Sequence, residues 1–384
     1  MARLSTRLLP ILVALALPPA FGAEFRALPA SEPATTMAIT EDGAHLLVAH
    51  EAEGRVSVWD VQAQKIVKLM ESPTPRHILS RRWRVYVANF GHGTISVFDA
   101  RKDWKQTDTV KVKDPYVRYL SAPGGTNFKG KLLACCGKYA DRHFYLAQAT
   151  RKTPGPFHSE VYCPVATLSY DGRQVVLQSE FTHSPSGTAG IISTEAFLKP
   201  SRTKKTERGA HEDTPLLFQV SKGPYWFARN GLYTGTPPVK LSVSFGTLLF
   251  PDVMRPVLHA LKDGEIVTYN LDRAYSRAGS QKVKLPKGWP KPGRRGGYGK
   301  EGPYYHPVAA THKLTTHLFR LDAAKHKVYY CTLAPVMTKT AERQCRGWLS
   351  MAENLKRAGK PDQARPYLER IIRDYPDTSF AEKA

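Results

Sequence analysis

Short runs of alternating apolar and polar residues, separated by glycine, recur along most of the chain. A period of two is that of a strand with one face turned to a core. The clearest runs lie in residues 47–60 and 86–99. In the first, Leu47-Val48-Ala49-His50 leads through Gly54 into Arg55-Val56-Ser57-Val58-Trp59-Asp60. In the second, Tyr86-Val87-Ala88-Asn89 leads through Gly91 and Gly93 into Thr94-Ile95-Ser96-Val97-Phe98-Asp99. Gly54 and Gly93 are 39 positions apart, and so are Asp60 and Asp99. A recurring unit of about 40 residues is one sheet of four strands that buries its faces against copies of itself arranged in a ring. The pattern therefore predicts an all-β chain, a seven-bladed β-propeller, followed by a short C-terminal α-helical hairpin.

The units can be followed in order. The first, 33–70, has strands at 37–39, 45–50, 55–60 and 65–69; the second, 73–113, has them at 77–80, 85–88, 94–99 and 108–112. A third unit carries strands at 118–121, 131–135 and 143–147. A fourth begins near residue 160, where Ser169-Tyr170-Asp171-Gly172 reproduces the turn Thr40-Glu41-Asp42-Gly43, and Gly43 and Gly172 are 129 positions apart, three periods of 43. Strands at 175–178 and 190–193 follow. The fifth unit, 213–250, is assigned strands at 216–220, 225–228, 232–234 and 241–245. In the sixth, residues 264–271 echo 54–61, with 210 positions between the two glycines, five periods of 42. The seventh, 303–334, contains Leu318-Phe319-Arg320-Leu321-Asp322. Residues 24–33 are expected to add a strand to the last unit, which removes the exposed edge at the seam of the ring. Two basic stretches, 199–208 and 282–300, read as loops, the second holding seven Lys or Arg and no acid.

From residue 339 the apolar period changes to three or four: Trp348, Met351, Leu355 and Ala358, then Ala364, Leu368, Ile371 and Tyr375. Gly359 separates two predicted helices. The second should start at Pro361 or Asp362, since Pro366 is tolerated only near a helix start. The organisation expected is a leader at 1–23, the ring at 24–338 and a helical tail at 339–384.

Val85-Tyr86-Val87-Ala88-Asn89 followed by residues 93–99 resembles the repeat of YVTN-type β-propellers, with Ala88 where the signature has Thr. The tail, with Gly359, Ala364 and the Tyr375-Pro376 exit, resembles a single tetratricopeptide repeat. Such repeats stabilise one another by stacking, so one copy implies packing on the ring or on a protein partner. With no catalytic motif found, the leading expectation is a non-enzymatic binding or scaffold protein. The alternative, which relatives of this propeller type imply, is an enzyme, lactonase-like or quinoprotein-like.

Residues 1–23 place Arg3 and Arg7 before the apolar run 8–17 and end in Pro18-Pro19 and small residues, the layout of a secretory signal peptide. The expected location is secreted or periplasmic, in a bacterial cell envelope. No later run approaches the length of a membrane-spanning helix. The formal charge of +23 suits an anionic cell-envelope polymer, a small anionic ligand or an acidic protein. There is no motif that reads nucleic-acid sequence, no covalent-haem motif and no zinc spacing; no cofactor is indicated. Five cysteines, Cys135, Cys136, Cys163, Cys331 and Cys345, permit at most two disulfides, with Cys331 and Cys345 either bridged or buried as thiols.

In a ring of this kind the loops that enter the innermost strands form one end of the channel. The residues at the predicted entries are Arg76, His77, Tyr116, Arg118, Tyr162, Tyr225, Trp226, Arg255, Tyr304, Tyr305 and His306. Guanidinium groups pair with carboxylate or phosphate while rings offer stacking area, so this alternation suits an anionic ligand with an apolar part. The same residue types also serve as packing between sheets and as loop cover. Asp60, Asp99 and Asp322 recur at the end of the third strand, where Asp caps a turn. Glu32, Asp114, Glu160, Asp213 and Asp252 lie near inner-strand starts and would hold calcium if they converged; otherwise they belong to solvated turns.

Overall fold

The computed structural model describes residues 23–28, 33–124, 130–137, 143–148, 164–169, 171–179, 190–198, 207–208, 218–219, 225–228, 231–234, 239–241, 248–255, 257–271, 276–287, 289, 308–312, 315–322, 325–333, 339–375 and 379–384. Residues 1–22 of the expected leader at 1–23 lie outside these, while Ala23 is described as part of a strand. Among the described residues the strands form seven sheets. The first runs Thr36–Ile39, His45–His50, Arg55–Asp60, Lys65–Glu71, and the second Pro75–Arg81, Arg84–Asn89, Thr94–Asp99, Lys105–Lys111, each strand antiparallel to the next. First strands of neighbouring sheets adjoin: Thr36–Ile39 beside Pro75–Arg81, that beside Val117–Ser121, and that beside Pro164–Leu168. Leu248–Pro251 adjoins Val308–His312, which adjoins Thr36–Ile39 again, so the seventh sheet meets the first.

The cores lie between sheets, as the alternation requires. Leu47, Val56, Val58, Ile78, Val85 and Phe98 join the first sheet to the second. Tyr86, Ile95, Val97, Leu120 and Leu132 join the second to the third. Leu46, Val48 and Trp59 of the first sheet pack on Phe319, Leu321 and Val328 of the seventh. Polar residues inside this core are partnered: the buried His50 shares a hydrogen bond of 2.9 Å between Nε2 and Ser57 Oγ, and Asn89, at the same place 39 residues on, donates from Nδ2 to Ser96 Oγ at 2.9 Å and accepts from Ser72 Oγ at 2.7 Å. Burial pushes the His50 imidazole below its ordinary pKa of 6.5.

The repeat holds at atomic detail in the turns. Gly54, Gly93 and Gly264 each precede the third strand with a left-handed backbone, and their carbonyls accept from Ser72, Val112 and Val283 N–H at 2.9, 2.8 and 2.8 Å. The turn at 40–44 ties Thr40 Oγ1 to Asp42 Oδ1 at 2.6 Å and His45 N to Thr40 Oγ1 at 2.9 Å. Ser169, Asp171 and Gln174 repeat both bonds at the same two distances. Asp60, Asp99 and Asp322 accept turn N–H groups from Gln62 and Ala63, Arg101, and Lys325 respectively, the capping role expected of them, but only Asp60 and Asp99 end third strands; Asp322 ends the second strand of the seventh sheet, whose fourth strand comes from residues 26–27.

Arg26–Ala27 supplies the fourth strand of the seventh sheet, antiparallel to Lys327–Leu333, while Ala23–Glu24 adds a parallel fifth strand to the sixth sheet beside Ser276–Lys284. Between them the buried Phe25 ring sits 4.5 Å from Trp289 and 5.9 Å from Phe250.

Several borders differ from the pattern reading. Residues 248–251 open the sixth sheet rather than ending the fifth, in which Val239–Leu241 is a strand; residues 242–245 of the expected strand 241–245 lie outside the described residues. The basic stretch from 282 begins inside a strand, with Val283 buried and Trp289 packed on Phe25 and Tyr329, because Phe25 fills the site that gives these residues a core to join. Glu207–Arg208 pairs with Gly190 and Ile191 as a strand instead of lying in a loop. Cys331 and Cys345 are buried thiols with no bridge between them, and burial raises Cys331 to about 12. Helices span Lys339–Arg357 and Pro361–Asp374, with Pro366 inside the second, and they pack on one another around Cys345, Ala352, Ala364 and Ile371.

Two outcomes are expected. Gly54→Ala should cost about 1 kcal/mol through its left-handed backbone, and Gly93→Ala more, since its Cβ would stand 3.1 Å from the Val112 carbonyl oxygen against 3.8 Å from Ser72 O at Gly54; urea midpoints measure the order. Because His50 is held neutral, the stability it contributes is complete above pH 6.5 and is lost as pH falls below that value. His50→Asn, which installs the residue of the second sheet, should flatten the decline in unfolding free energy between about pH 6.5 and 5.

Candidate functional site

Antiparallel order gives each sheet two ends. One carries the loops between second and third strands together with the entries to the first strands; the other carries the remaining hairpins. At the entry end, Arg76 lies at a bulge in the first strand of the second sheet. Its Nη1 donates to Glu51 Oε2 at 2.8 Å, and the two side chains are 33 % and 22 % exposed. Glu51 begins the second-to-third loop of the preceding sheet, and Phe90 holds the equivalent place in the next repeat, 39 residues on.

Phe90 is the hub. The guanidinium carbons of Arg76 and Arg118 both lie 5.3 Å from its ring centroid, and the Tyr116 ring is 5.2 Å away at 47°. The ring is held by its own backbone, which bridges to Tyr116, donates from N to Thr74 O at 3.1 Å and accepts the Thr74 hydroxyl at its carbonyl. Arg118 is buried, and Tyr116 N–H donates to Asp114 Oδ1 at 2.8 Å. Two guanidiniums against one aromatic ring concentrate positive charge where the ring quadrupole offsets part of their mutual repulsion. The arrangement offers N–H donors beside a flat apolar surface, which suits a carboxylate or phosphate attached to an apolar body.

Of the predicted entry residues, then, Arg76, Tyr116 and Arg118 come together. His77 faces elsewhere: its Nδ1 accepts from Leu120 N–H at 3.2 Å and its ring lies 4.1 Å from Tyr119, a structural tie between the second and third sheets. Arg255 is exposed in the hairpin after the first strand of the sixth sheet, at the opposite end from the entries. It is placed there by Asp252, which accepts N–H bonds from Met254 at 2.7 Å and Arg255 at 3.0 Å. Tyr225 and Trp226 lie in the second strand of the fifth sheet rather than at the entry to its first. Tyr162, Tyr304, Tyr305 and His306 lie outside the described residues, as do Glu32, Glu160 and Asp213. Asp252 is fully buried, takes the Thr311 hydroxyl bond and stands 3.6 Å from His259 Nε2, which ties the sixth sheet to the seventh.

Glu51 and Phe90 were not legible from residue type alone. The signal that finds them is the repeat itself: the residue after the last position of the second strand, taken every 39 residues, reaches the entry of the next sheet.

No family model and no curated protein matches the chain. Solved structures do. The Cps50 (Swd1) beta-propeller domain of Myceliophteria thermophila superposes with a TM-score of 0.52 at 12 % identity, over 80 % of this chain and 98 % of that one. Hydrazine synthase of Kuenenia stuttgartiensis gives 0.52 at 13 %, over 78 % and 96 %. A chain of the mitotic checkpoint complex gives 0.50 at 12 %, over 85 % and 98 %. At these identities the likeness is one of fold: the chain is a β-propeller.

Phe90→Leu keeps apolar bulk but removes the ring face from both arginines, each contact being worth about 0.5–1 kcal/mol where partly exposed. A loss of about 1–2 kcal/mol in urea unfolding is expected, and Arg76→Ala should take about half of it.

Proposed function

We propose that the chain is an exported binding or scaffold protein: a seven-bladed propeller of the YVTN type, one sheet to a blade, that recognises an anionic ligand or an acidic partner at the entry end of its ring. The observation that carries this is the pairing of Arg76 and Arg118 on the single Phe90 ring with Tyr116 beside it. A net charge of +23 brings polyanions to such a surface at an enhanced rate. The propeller domains and assemblies among the similar folds are compatible with a binding role. In this reading the leader is removed on export by a cut just before Ala23, which pairs with Val283, and the protein works in the periplasm or outside the cell. The helices from Lys339 resemble a tetratricopeptide repeat and leave Met351 and Ile372 each 48 % exposed, a surface for a protein partner. No helix among the described residues is long and apolar enough to cross a membrane.

Labelled dextran sulfate serves as the polyanion probe and neutral dextran as its control, titrated at about 50 and 300 mM NaCl, a range over which multi-contact electrostatic binding weakens steeply. The wild type should bind the sulfate form alone. Arg76→Gln with Arg118→Gln, in a protein whose strand signal by circular dichroism is unchanged, should bind about tenfold less tightly, as expected for two charge-assisted hydrogen bonds to one ligand. Equal binding to neutral dextran, or unchanged affinity in the double variant, would overturn the site. Recovery of the tagged chain in the cytoplasmic fraction alone would overturn the location.

A further inference from the structure

At the other end of the ring, the first and second sheets enclose a cleft of about 670 Å³ lined by Thr40, Glu41, His45, Ser80, Arg82, Trp83, Arg101 and Trp104 among others, within the roughly 300–1,000 Å³ range of small-molecule sites. Both of its second-sheet walls depart from the repeat. The first hairpin of the second sheet is cut to Arg82 and Trp83, where the first sheet has the longer Asp-Gly turn. The hairpin from Asp99 to Lys105 is one residue longer than its equivalent in the first sheet, Asp60 to Lys65. Left-handed Asp103 matches Gln64 in that turn, and the additional residue is Trp104, itself left-handed at φ 59° and buried. A left-handed backbone at a bulky side chain costs about 1–2 kcal/mol, and such strain gathers at ligand clamps. Arg82, at φ 52°, is a second case on the facing wall.

The polar groups are unevenly satisfied. Glu41 Oε2 accepts from Arg82 N–H at 2.6 Å, and Asp42 Oδ1 accepts from the Thr40 hydroxyl and from Ala44 N–H, so the acids are occupied by turn bonds. Ser80 Oγ and Trp83 Nε1, by contrast, are buried and have no hydrogen-bond partner among the described residues. The Arg101 guanidinium carbon lies 3.9 Å over the Trp83 ring centroid with the side chain 59 % exposed, leaning weakly on Asp99 at 3.3 Å. His45 meets Trp104 edge-on at 4.9 Å. The unmet groups are thus donors, beside an exposed cation and two indoles.

From this we infer that the cleft between the first two sheets is a second site, one that takes a small aromatic carboxylate. The carboxylate is received by Arg101 and by the Ser80 and Trp83 donors, which come into reach as Arg101 lifts from the indole. The ring of the ligand lies against Trp104 and the Arg101 plane. A buried donor left unmade costs about 1–3 kcal/mol, so the bond to an acceptor is disproportionately favourable here.

Calorimetric titration of the full chain with 2-naphthoate and with 2-naphthylmethanol, the same ring without the charge, tests this. The acid should bind and the alcohol bind at least about tenfold more weakly, the difference of one charge-assisted contact. Arg101→Ala and Ser80→Ala should each weaken naphthoate at least about fivefold, and Arg101→Lys should not restore it, because lysine offers neither plane nor fork. Dextran sulfate binding should be unchanged in these variants, which separates this site from the Phe90 cluster. Equal affinity for acid and alcohol, no heat with either, or unaltered naphthoate binding in both Arg101→Ala and Ser80→Ala would overturn the inference. Trp104→Ala is uninformative if it fails to fold, and the two milder variants decide the matter without it.

Discussion

A four-stranded sheet that is apolar on both faces must be covered twice, and that single requirement organises this chain. Among the described residues the first sheet covers the second, the second the third, the third the fourth and the sixth the seventh, and the seventh meets the first again. The residues at that seam are at the chain's beginning: Ala23–Glu24 extends the sixth sheet, Arg26–Ala27 completes the seventh, and Phe25 between them enters the core with Phe250 and Trp289. One short segment thus satisfies strand edges on two sheets, which otherwise present unpaired backbone to solvent. Closure also fixes the inner strands side by side, so residues from different repeats can meet at the ends of the ring.

Once the backbone is set by repetition, chemistry enters through what stands at equivalent places. His50 and Asn89 hold the same position and both bind a serine seven residues on, yet only the imidazole is ionisable, and burial pushes it below its ordinary 6.5. Glu51 and Phe90 also correspond; one gives a carboxylate to the next sheet, the other a ring face. Trp104 is a residue the repeat does not call for. Local rules are broken most visibly where Arg82, Trp83 and Trp104 surround one cleft, and departures of this kind are where function is expected in an otherwise consistent sequence.

This distinction also decides what could be read beforehand. Strands at His45–His50, Arg55–Asp60 and Thr94–Asp99 match the alternation residue for residue because a left-handed glycine pins the register of each hairpin. The helix boundaries at Lys339 and Pro361 are equally legible from the change of period and from Gly359. Borders in the fifth and sixth sheets are not, since Leu241-Ser242-Val243-Ser244-Phe245 reads as one alternating strand and only Gly246-Thr247 separates it from Leu248-Leu249-Phe250. The site was legible in part: residue type led to Arg76, Tyr116 and Arg118, but not to Phe90, which looks like core. His77 and Arg255 were drawn in by type and are directed elsewhere by hydrogen bonds of Leu120 and Asp252 that no linear pattern displays. The stretch from 282 reads as an unpackable basic loop until Phe25, over two hundred residues away, supplies its core.

The two ends of the ring are joined by strands of six or seven residues, about 20 Å at the rise of an extended chain. That is two or more Debye lengths at physiological salt, so charge at one end is largely screened from the other across solvent. Through the protein, the path runs along antiparallel ladders and close-packed sheet interfaces with no second arrangement of those elements in view, and coupling between sites requires an element with two states. Several acids among the described residues are moreover neutralised locally, Glu51 by Arg76, Asp99 by Arg101, Glu265 by Arg277, and Glu24 by Lys284, which also lowers the Glu24 carboxyl below its ordinary range. The excess of +23 therefore acts as a diffuse field that attracts anions without selecting among them. Selection falls to the short-range groups, which differ at the two ends: a ring between two arginines at one, and buried donors beside indoles at the other.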